Sequence, residues 1–178
     1  MKIFAVYGRL DLTKKPEWFE AFRAKYGTTL EYHVTLKQPC FIEESQLPDI
    51  RGKLNIIFGN FTVPGHRIDM IFDRLYSEKD AIMVRTKETG PIMVLQKQIR
   101  DALQDYDRYV APELRTYEHD FHPHVSIVLD LTPEQYAAAT KELKPDYRCE
   151  GAIEEIVLVI AEQAWKPADS TSQTIYHF

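Results

Sequence analysis

Cysteine and long apolar runs are both scarce in this sequence of 178 residues. Its two cysteines, Cys40 and Cys149, lie far apart without a paired spacing, which predicts free thiols in a cytoplasmic protein rather than a disulfide framework. The longest strictly apolar run, residues 156–161, is far shorter than the roughly 20 residues of a membrane-spanning helix. The apolar stretch near the N-terminus ends at the charged Arg9, which makes it too short for the hydrophobic core of a signal peptide. We therefore expect neither a membrane partner nor a disulfide-stapled miniprotein.

Runs of lysine or arginine are also lacking. The chain has 22 basic and 27 acidic residues, a net charge of −5 and an isoelectric point near 5.7. A protein that grips long duplex nucleic acid usually carries a basic face, so a long duplex is not an expected partner. The charge is still compatible with a small anionic ligand held by a few local groups. Separately, we expect the chain to act as a monomer.

The hydrophobic pattern predicts strands and helices that follow one another without a flexible linker. Strands are predicted at residues 2–8, 32–38, 66–77, 81–87, 121–129, 147–162 and 171–178. Helices are predicted at residues 16–26, 45–58, 90–103 and 132–143. Residues 104–120 are expected to form a polar loop, whereas residues 78–80 and 165–167 are expected to form a hairpin turn and a bend.

The order of these elements repeats along the chain. From residue 32 the order is strand, helix, strand, strand, and the same order returns from residue 121. This repetition predicts an α+β protein with a bilobal, duplicated fold, in which two antiparallel sheets flanked by helices enclose a central cleft. We expect a single domain over residues 1–178 with lobes near 1–90 and 91–178, and strand exchange between the lobes remains open.

One short motif occurs in the corresponding strand of each half. Residues 33–36 read His-Val-Thr-Leu and residues 124–127 read His-Val-Ser-Ile. Because residues i and i+2 of a strand share a face, each histidine and hydroxyl should point one way and the apolar residues the other. A scaffold domain with chance motifs is the alternative interpretation, since one such motif alone is usually an ordinary surface histidine.

Two imidazoles and two hydroxyls in one cleft suit phosphodiester cleavage. Histidine titrates near neutrality, so His33 and His124 can act as a general base and a general acid at the same pH. The hydroxyls of Thr35 and Ser126 can donate to non-bridging phosphate oxygens. This chemistry requires neither a metal nor another cofactor.

The paired motifs resemble those of the 2H phosphoesterase superfamily, in particular its 2′-5′ RNA ligase-like and 2′,3′-cyclic phosphodiesterase members. The run Phe-His-Pro-His-Val-Ser-Ile at 121–127 is similar to the second motif of that family. The resemblance implies a bilobal fold and metal-free hydrolysis of cyclic or 2′-linked nucleotide phosphodiesters. It implies that His33 and His124 are the catalytic pair, with His33 the proton donor, and that Thr35 and Ser126 bind phosphate.

The sequence departs from the family pattern after the second motif. Several members carry a basic residue there, whereas Val-Leu-Asp stands at 128–130. Lys37 is expected to supply this charge, because it shares a strand face with His33 and Thr35 if the strand extends that far. The alternative for Lys37 is a solvated strand end.

Three further residues are candidates for substrate binding. Tyr7 is an aromatic group near the predicted cleft that could stack on a base, although core packing is the alternative. Arg115 lies in the loop before the second motif, where substrate contacts are common. His122 is expected to line the cleft or to pack beside the catalytic strand. A metal site of His119, His122 and His124 is conceivable, but without a matching set of further ligands we expect no metal.

These observations predict a metal-independent phosphodiesterase that hydrolyses 2′,3′-cyclic nucleotide phosphates or RNA-terminal cyclic phosphates. Its partner is then a small nucleotide or an RNA terminus. One alternative is cleavage of 2′-5′ or cyclic oligonucleotides, or 2′-5′ RNA ligation, by the same residues. An alternative of another class is a non-catalytic nucleotide-binding module.

Overall fold

In the computed structural model of the protein, the seven antiparallel strands of the described residues form one continuous sheet. The structure describes residues 1–60, 67–78, 80–86, 90–162 and 173–178. The strands are β1 (Lys2–Lys14), β2 (His33–Ile42), β3 (Ile68–Glu78), β4 (Ala81–Thr86), β5 (His124–Val128), β6 (Cys149–Glu162) and β7 (Gln173–His177). The predicted bend at 165–167 lies outside the described residues, as do residue 79 of the predicted turn and the predicted strand residues 66, 87, 171 and 172.

The two longest strands, β1 and β6, join what the sequence predicted as two sheets. The strand order is β2-β1-β6-β3-β4-β5, and β7 also pairs with β6. β1 runs along one edge of β6 for its whole length, while β3 and β7 share the other edge. β6 is unbroken at Gly151, where any Cβ would lie 2.2 Å from the Asp11 carbonyl oxygen. The antiparallel α+β class is therefore confirmed, with a single sheet in place of two.

In the described residues, five α-helices pack around this sheet, and four of them were predicted. They are α1 (Trp18–Lys25), α2 (Leu47–Asn60), α3 (Gly90–Ala102), α4 (Pro112–His119) and α5 (Pro133–Glu142). The fifth, α4, lies where a loop was expected. It begins at a proline, whose fixed φ suits a first helical position, but only Glu118 in it is buried. Without an apolar stripe, the sequence carries no periodicity that predicts this helix.

The apolar residues of both motifs lie in the core, as predicted. Val34 and Leu36 are 1% exposed, and Val125 and Ile127 are fully buried. Burying side chains of this size contributes about 1.5–3 kcal/mol each, which fixes the rotation of both strands. The opposite faces, with the histidines and hydroxyls, therefore turn away from the core.

Both cysteines are free and buried. Burial raises the pKa of the Cys40 and Cys149 thiols to about 12, so neither thiolate is available as a nucleophile near neutral pH. Within the described residues, no helix combines the length and apolar character that crossing a bilayer demands.

Candidate active site

The two histidines and two hydroxyls of the paired motifs all line one cavity. β2 and β5 stand at opposite ends of the strand order, so the sheet must curve to bring them together. The cavity has a volume of about 260 Å³, and both motifs contribute their histidine and hydroxyl to its wall. These side chains are His33, Thr35, His124 and Ser126.

Each of the two histidines is held by a main-chain oxygen. His33 Nδ1 lies 2.8 Å from the carbonyl oxygen of Glu31, and His124 Nδ1 lies 2.8 Å from that of His122. A carbonyl oxygen only accepts hydrogen bonds, so Nδ1 carries the proton in both neutral rings. Nε2 is then the basic nitrogen of each imidazole, and both rings meet the requirement for proton transfer.

Burial lowers the pKa of both histidines below the ordinary value of 6.5. For His33, the Glu31 hydrogen bond and carboxylate oppose this shift, while the Arg23 charge adds to it. For His124, the backbone hydrogen bond opposes the shift, whereas His33, Arg85 and His122 all add to it. The Glu31 carboxylate thus favours the protonated form of the first imidazole, whereas the Arg85 charge disfavours that of the second.

Tyr7 lies directly beside the first motif. It pairs with Thr35 across β1 and β2, and its ring centroid is 4.9 Å from that of His33. Burial, followed by the nearby Glu31 charge, raises the pKa of the Tyr7 phenol. The tyrosine is therefore a neutral wall for the His33 ring.

The prediction that Lys37 shares the face of His33 and Thr35 is wrong. Tyr7 pairs with Thr35 but the preceding residue of β1 pairs with Lys37, so β2 carries an extra residue in a β-bulge. The bulge turns Lys37 to the same side as the buried Leu36, and Lys37 itself is fully buried.

Lys37 forms a buried ion-pair network on that side. Its Nζ lies 2.6 Å from a Glu118 carboxylate oxygen and also pairs with Asp107. Glu118 accepts two more hydrogen bonds, from the Gln38 N–H at 2.8 Å and the Tyr109 hydroxyl at 3.0 Å. Although burial opposes the charge, the two carboxylates raise the pKa of Lys37 above its usual value. The network fastens α4 to β2 and keeps the Lys37 ammonium away from the cavity.

The other two candidates differ in their placement. His122 lines the cavity, with Nε2 at 3.5 Å from an Asp120 carboxylate oxygen. Arg115 is exposed on α4 and lies outside the cavity, whereas Tyr117 two residues later reaches it. In the described part of the chain, no three histidine, cysteine, aspartate or glutamate side chains are placed to bind a metal together. His119, His122 and His124 therefore do not form such a group.

A buried arginine that the sequence did not indicate connects the two motifs. Arg23 of α1 donates from Nη1 to the carbonyl oxygens of Ser126 at 3.0 Å and Ile127 at 3.2 Å, and from Nη2 to that of Leu30. Its guanidinium also lies 4.1 Å from the centre of the Tyr32 ring. The second motif is thereby tied to the segment that leads into the first. An arginine in the last turn of a helix looks like a surface residue in sequence.

The β3–β4 hairpin contributes the polar wall of the cavity. Arg85 lies opposite His124 in the sheet, and its guanidinium is 3.5 Å from the centre of the Tyr76 ring. Glu78 accepts hydrogen bonds from Tyr76 at 2.7 Å and from Tyr117 at 3.3 Å. The hairpin itself was predicted, but the register between β4 and β5 joins distant segments and has no local signal.

Comparison with known proteins places the chain among phosphoesterases. The family model of the 2′-5′ RNA ligase superfamily matches residues 13–165. No curated protein matches the sequence. The structure is similar to that of LigT from E. coli complexed with 3′-AMP, with a TM-score of 0.56, 12% identity and coverage of 99% of this chain and 95% of that one.

Two further solved structures share the fold. Usb1 from Kluyveromyces marxianus has a TM-score of 0.52 and 12% identity, with 98% of this chain and 96% of that chain covered. TT0787 from Thermus thermophilus has a TM-score of 0.52 and 13% identity, with 100% of this chain and 95% of that chain covered. The α+β architecture with its curved antiparallel sheet is thus a known one.

Proposed function

Because the chain belongs to the 2′-5′ RNA ligase superfamily, the 2H phosphoesterases, we propose that it hydrolyses 2′,3′-cyclic nucleotide phosphates or RNA-terminal cyclic phosphates without a metal. One observation carries this proposal. His33 and His124 line the same cavity, and a backbone carbonyl fixes the tautomer of each ring so that both present a basic Nε2. Hydrolysis of a phosphodiester needs one general base and one general acid, and the two imidazoles can supply both.

The surroundings of the two rings favour His124 as the general base and His33 as the general acid. Burial, followed by the nearby His33, Arg85 and His122, lowers the pKa of His124, so we assign its Nε2 the role of the base that removes a proton from the attacking water. The water oxygen bonds to phosphorus as the bond from phosphorus to a ribose oxygen breaks. His33, beside the Glu31 carboxylate, gives its Nε2 proton to that leaving oxygen. Each of these transfers typically contributes about 10²–10⁴ in rate.

The hydroxyls and an anionic substrate complete the arrangement. Thr35 and Ser126 lie on the histidine faces of their strands and donate to the non-bridging oxygens as negative charge grows there. A bound phosphate also favours the imidazolium form of His33, because an opposite charge nearby raises the pKa of a histidine. The enzyme therefore acquires its acid as it binds substrate.

The size and charge of the site favour a small substrate or an RNA end. The cavity, of about 260 Å³, is at the small end of ligand pockets, and acidic Glu78 and Asp80 at its wall disfavour a long anionic chain. Solved structures of the same fold contain 3′-AMP in LigT and uridine monophosphate in Usb1. These small nucleotides support a mononucleotide or a chain terminus as the substrate.

Product analysis in EDTA tests the proposal. The protein is incubated with each of the four 2′,3′-cyclic nucleotides and, separately, with a 2′-5′-linked dinucleotide, and phosphorus NMR follows the products. We expect a phosphomonoester from the cyclic substrates. Turnover of the dinucleotide alone would favour the 2′-5′ oligonucleotide activity. A nucleotide that raises the melting temperature without any product would favour the binding module.

A further inference from the structure

Each catalytic histidine faces an arginine on the neighbouring strand. Arg9 of β1 pairs with His33 of β2, and Arg85 of β4 pairs with His124 of β5. Residues directly opposite in an antiparallel pair share a face, with Cβ atoms about 4.5–5.5 Å apart. The two arginines therefore occupy corresponding positions in the two halves of the site.

The two arginines have opposite electrostatic surroundings. Arg9 is neutralised by two carboxylates, Glu31 at 2.8 Å and Glu155 at 2.6 Å, and lies outside the cavity. Arg85 lines the cavity, and no carboxylate of the described residues pairs with it. Its Nε is buried and has no hydrogen-bond partner there. The arginine in the His124 half of the cleft thus lacks the direct ion pairs that Arg9 makes in the other half.

A buried charged donor without a partner is costly and rare in folded proteins. The cost is offset when a ligand supplies the missing acceptor. The Tyr76 ring, 3.5 Å from the guanidinium, fixes the plane of Arg85 without using any of its N–H groups. The edge of a guanidinium held in this way matches two oxygens of a phosphate.

We propose that Arg85 is a substrate-binding residue that holds the phosphoryl oxygens of the substrate in the His124 half of the cleft. The nature of the ligand rests on the proposed function, whereas the presence of an anion site does not. Ser126, on the same face as His124, then donates to the same phosphate. Arg85 supplies the positive charge that the sequence had assigned to Lys37.

Binding of inorganic phosphate, measured by calorimetry, tests this site. We expect Arg85→Gln to weaken phosphate binding at least about tenfold, equivalent to about 1.4 kcal/mol. Arg85→Lys keeps the positive charge but loses the planar pair of N–H donors, so we expect an intermediate loss of phosphate affinity. Arg51→Gln is the matched control, because Arg51 is exposed on α2, lies 4.2 Å from the centre of the Tyr176 ring and does not line the cavity, so its substitution removes the same charge away from the site. It should change binding less than about twofold.

Measurements of thermal stability and of turnover distinguish a failure of the Arg85 site from a failure of the hydrolase proposal. Because Arg85 Nε has no hydrogen-bond partner to lose, Arg85→Gln and Arg85→Met should lose only the stacking on Tyr76 and melt close to the wild type. Phosphate binding that is equal in wild type and Arg85→Gln, or absent in the wild type, would overturn the site. An unchanged KM for a cyclic nucleotide in Arg85→Gln would also overturn it and leave the hydrolase proposal intact. Arg85-dependent phosphate binding without turnover would support the site and contradict the hydrolase.

Discussion

His33 and His124 are restrained by the same contact, since each donates Nδ1–H to the carbonyl oxygen two residues earlier, at 2.8 Å in both cases. Each contact joins the first residue of a strand to the segment just before it, so the orientation of each ring is set locally. What brings the two rings together is non-local, because β2 and β5 end the strand order at opposite sides. Local restraint and a curved sheet are therefore separate requirements for the proposed chemistry.

The pH dependence of turnover should reflect the burial of both imidazoles. Since desolvation lowers the pKa of His33 and of His124 below 6.5, the bell-shaped profile of kcat/KM should centre on the acid side of pH 6.5. The profile of kcat should shift to higher pH, because bound phosphate stabilises the protonated acid. Initial rates across the pH range, at low and at saturating substrate, measure both profiles. A kcat/KM profile centred above pH 6.5 would contradict this account.

The Lys37 network should be a stability element rather than a binding element. Lys37→Met leaves the Glu118 carboxylate buried without its cation, which typically costs about 3–5 kcal/mol. Urea unfolding measures this loss, and Lys37→Met/Glu118→Leu should lose less than Lys37→Met alone. Lys97→Met is the control, because the Lys97–Asp101 pair of α3 is exposed and should matter by less than about 1 kcal/mol. Equal effects of the two lysine variants would disprove the network.

Arg23 should act as a positioning residue for both motifs. Arg23→Met leaves the carbonyl oxygens of Ser126, Ile127 and Leu30 without this donor, and an unsatisfied buried group costs about 1–3 kcal/mol. We expect lower stability and a fall in kcat that exceeds any change in KM. Arg23→Lys should restore part of both.

The control for Arg23 lies on the same helix. Lys25 is exposed and pairs with Glu142, so Lys25→Met should leave both kcat and the unfolding midpoint close to wild type. If Arg23→Met kept the wild-type kcat, the arginine would have only a structural role.

The sequence predicts what depends on local pattern and fails where distant pairing decides. The alternation of apolar and polar residues at 33–36 and 124–127 correctly predicted which side chains enter the core. The same rule failed at Lys37, because the bulge in β2 is set by its pairing with β1. Arg85 was missed for a related reason, since only the register of β4 against β5 places it opposite a catalytic histidine.

Two further differences from the predictions, the longer β1 and the additional helix α4, depend on contacts with distant segments. Residues 9–14 extend β1 well beyond the predicted strand end at residue 8, because β6 offers them hydrogen-bond partners throughout. α4 has a polar sequence and is held by the burial of Glu118 against Lys37, which no short window of sequence shows. Both features become predictable only when the partner strand is known.

Hydrolysis of a 2′,3′-cyclic nucleotide by His33→Ala and His124→Ala, in EDTA and beside the wild type, tests the central claim most directly. We expect each variant to lose at least about 100-fold in kcat/KM while it melts close to the wild type. His119→Ala, which alters an exposed histidine outside the cavity, should keep full activity. Full activity in either of the first two variants, or a wild-type activity that EDTA abolishes and zinc restores, would contradict paired-histidine catalysis without a metal.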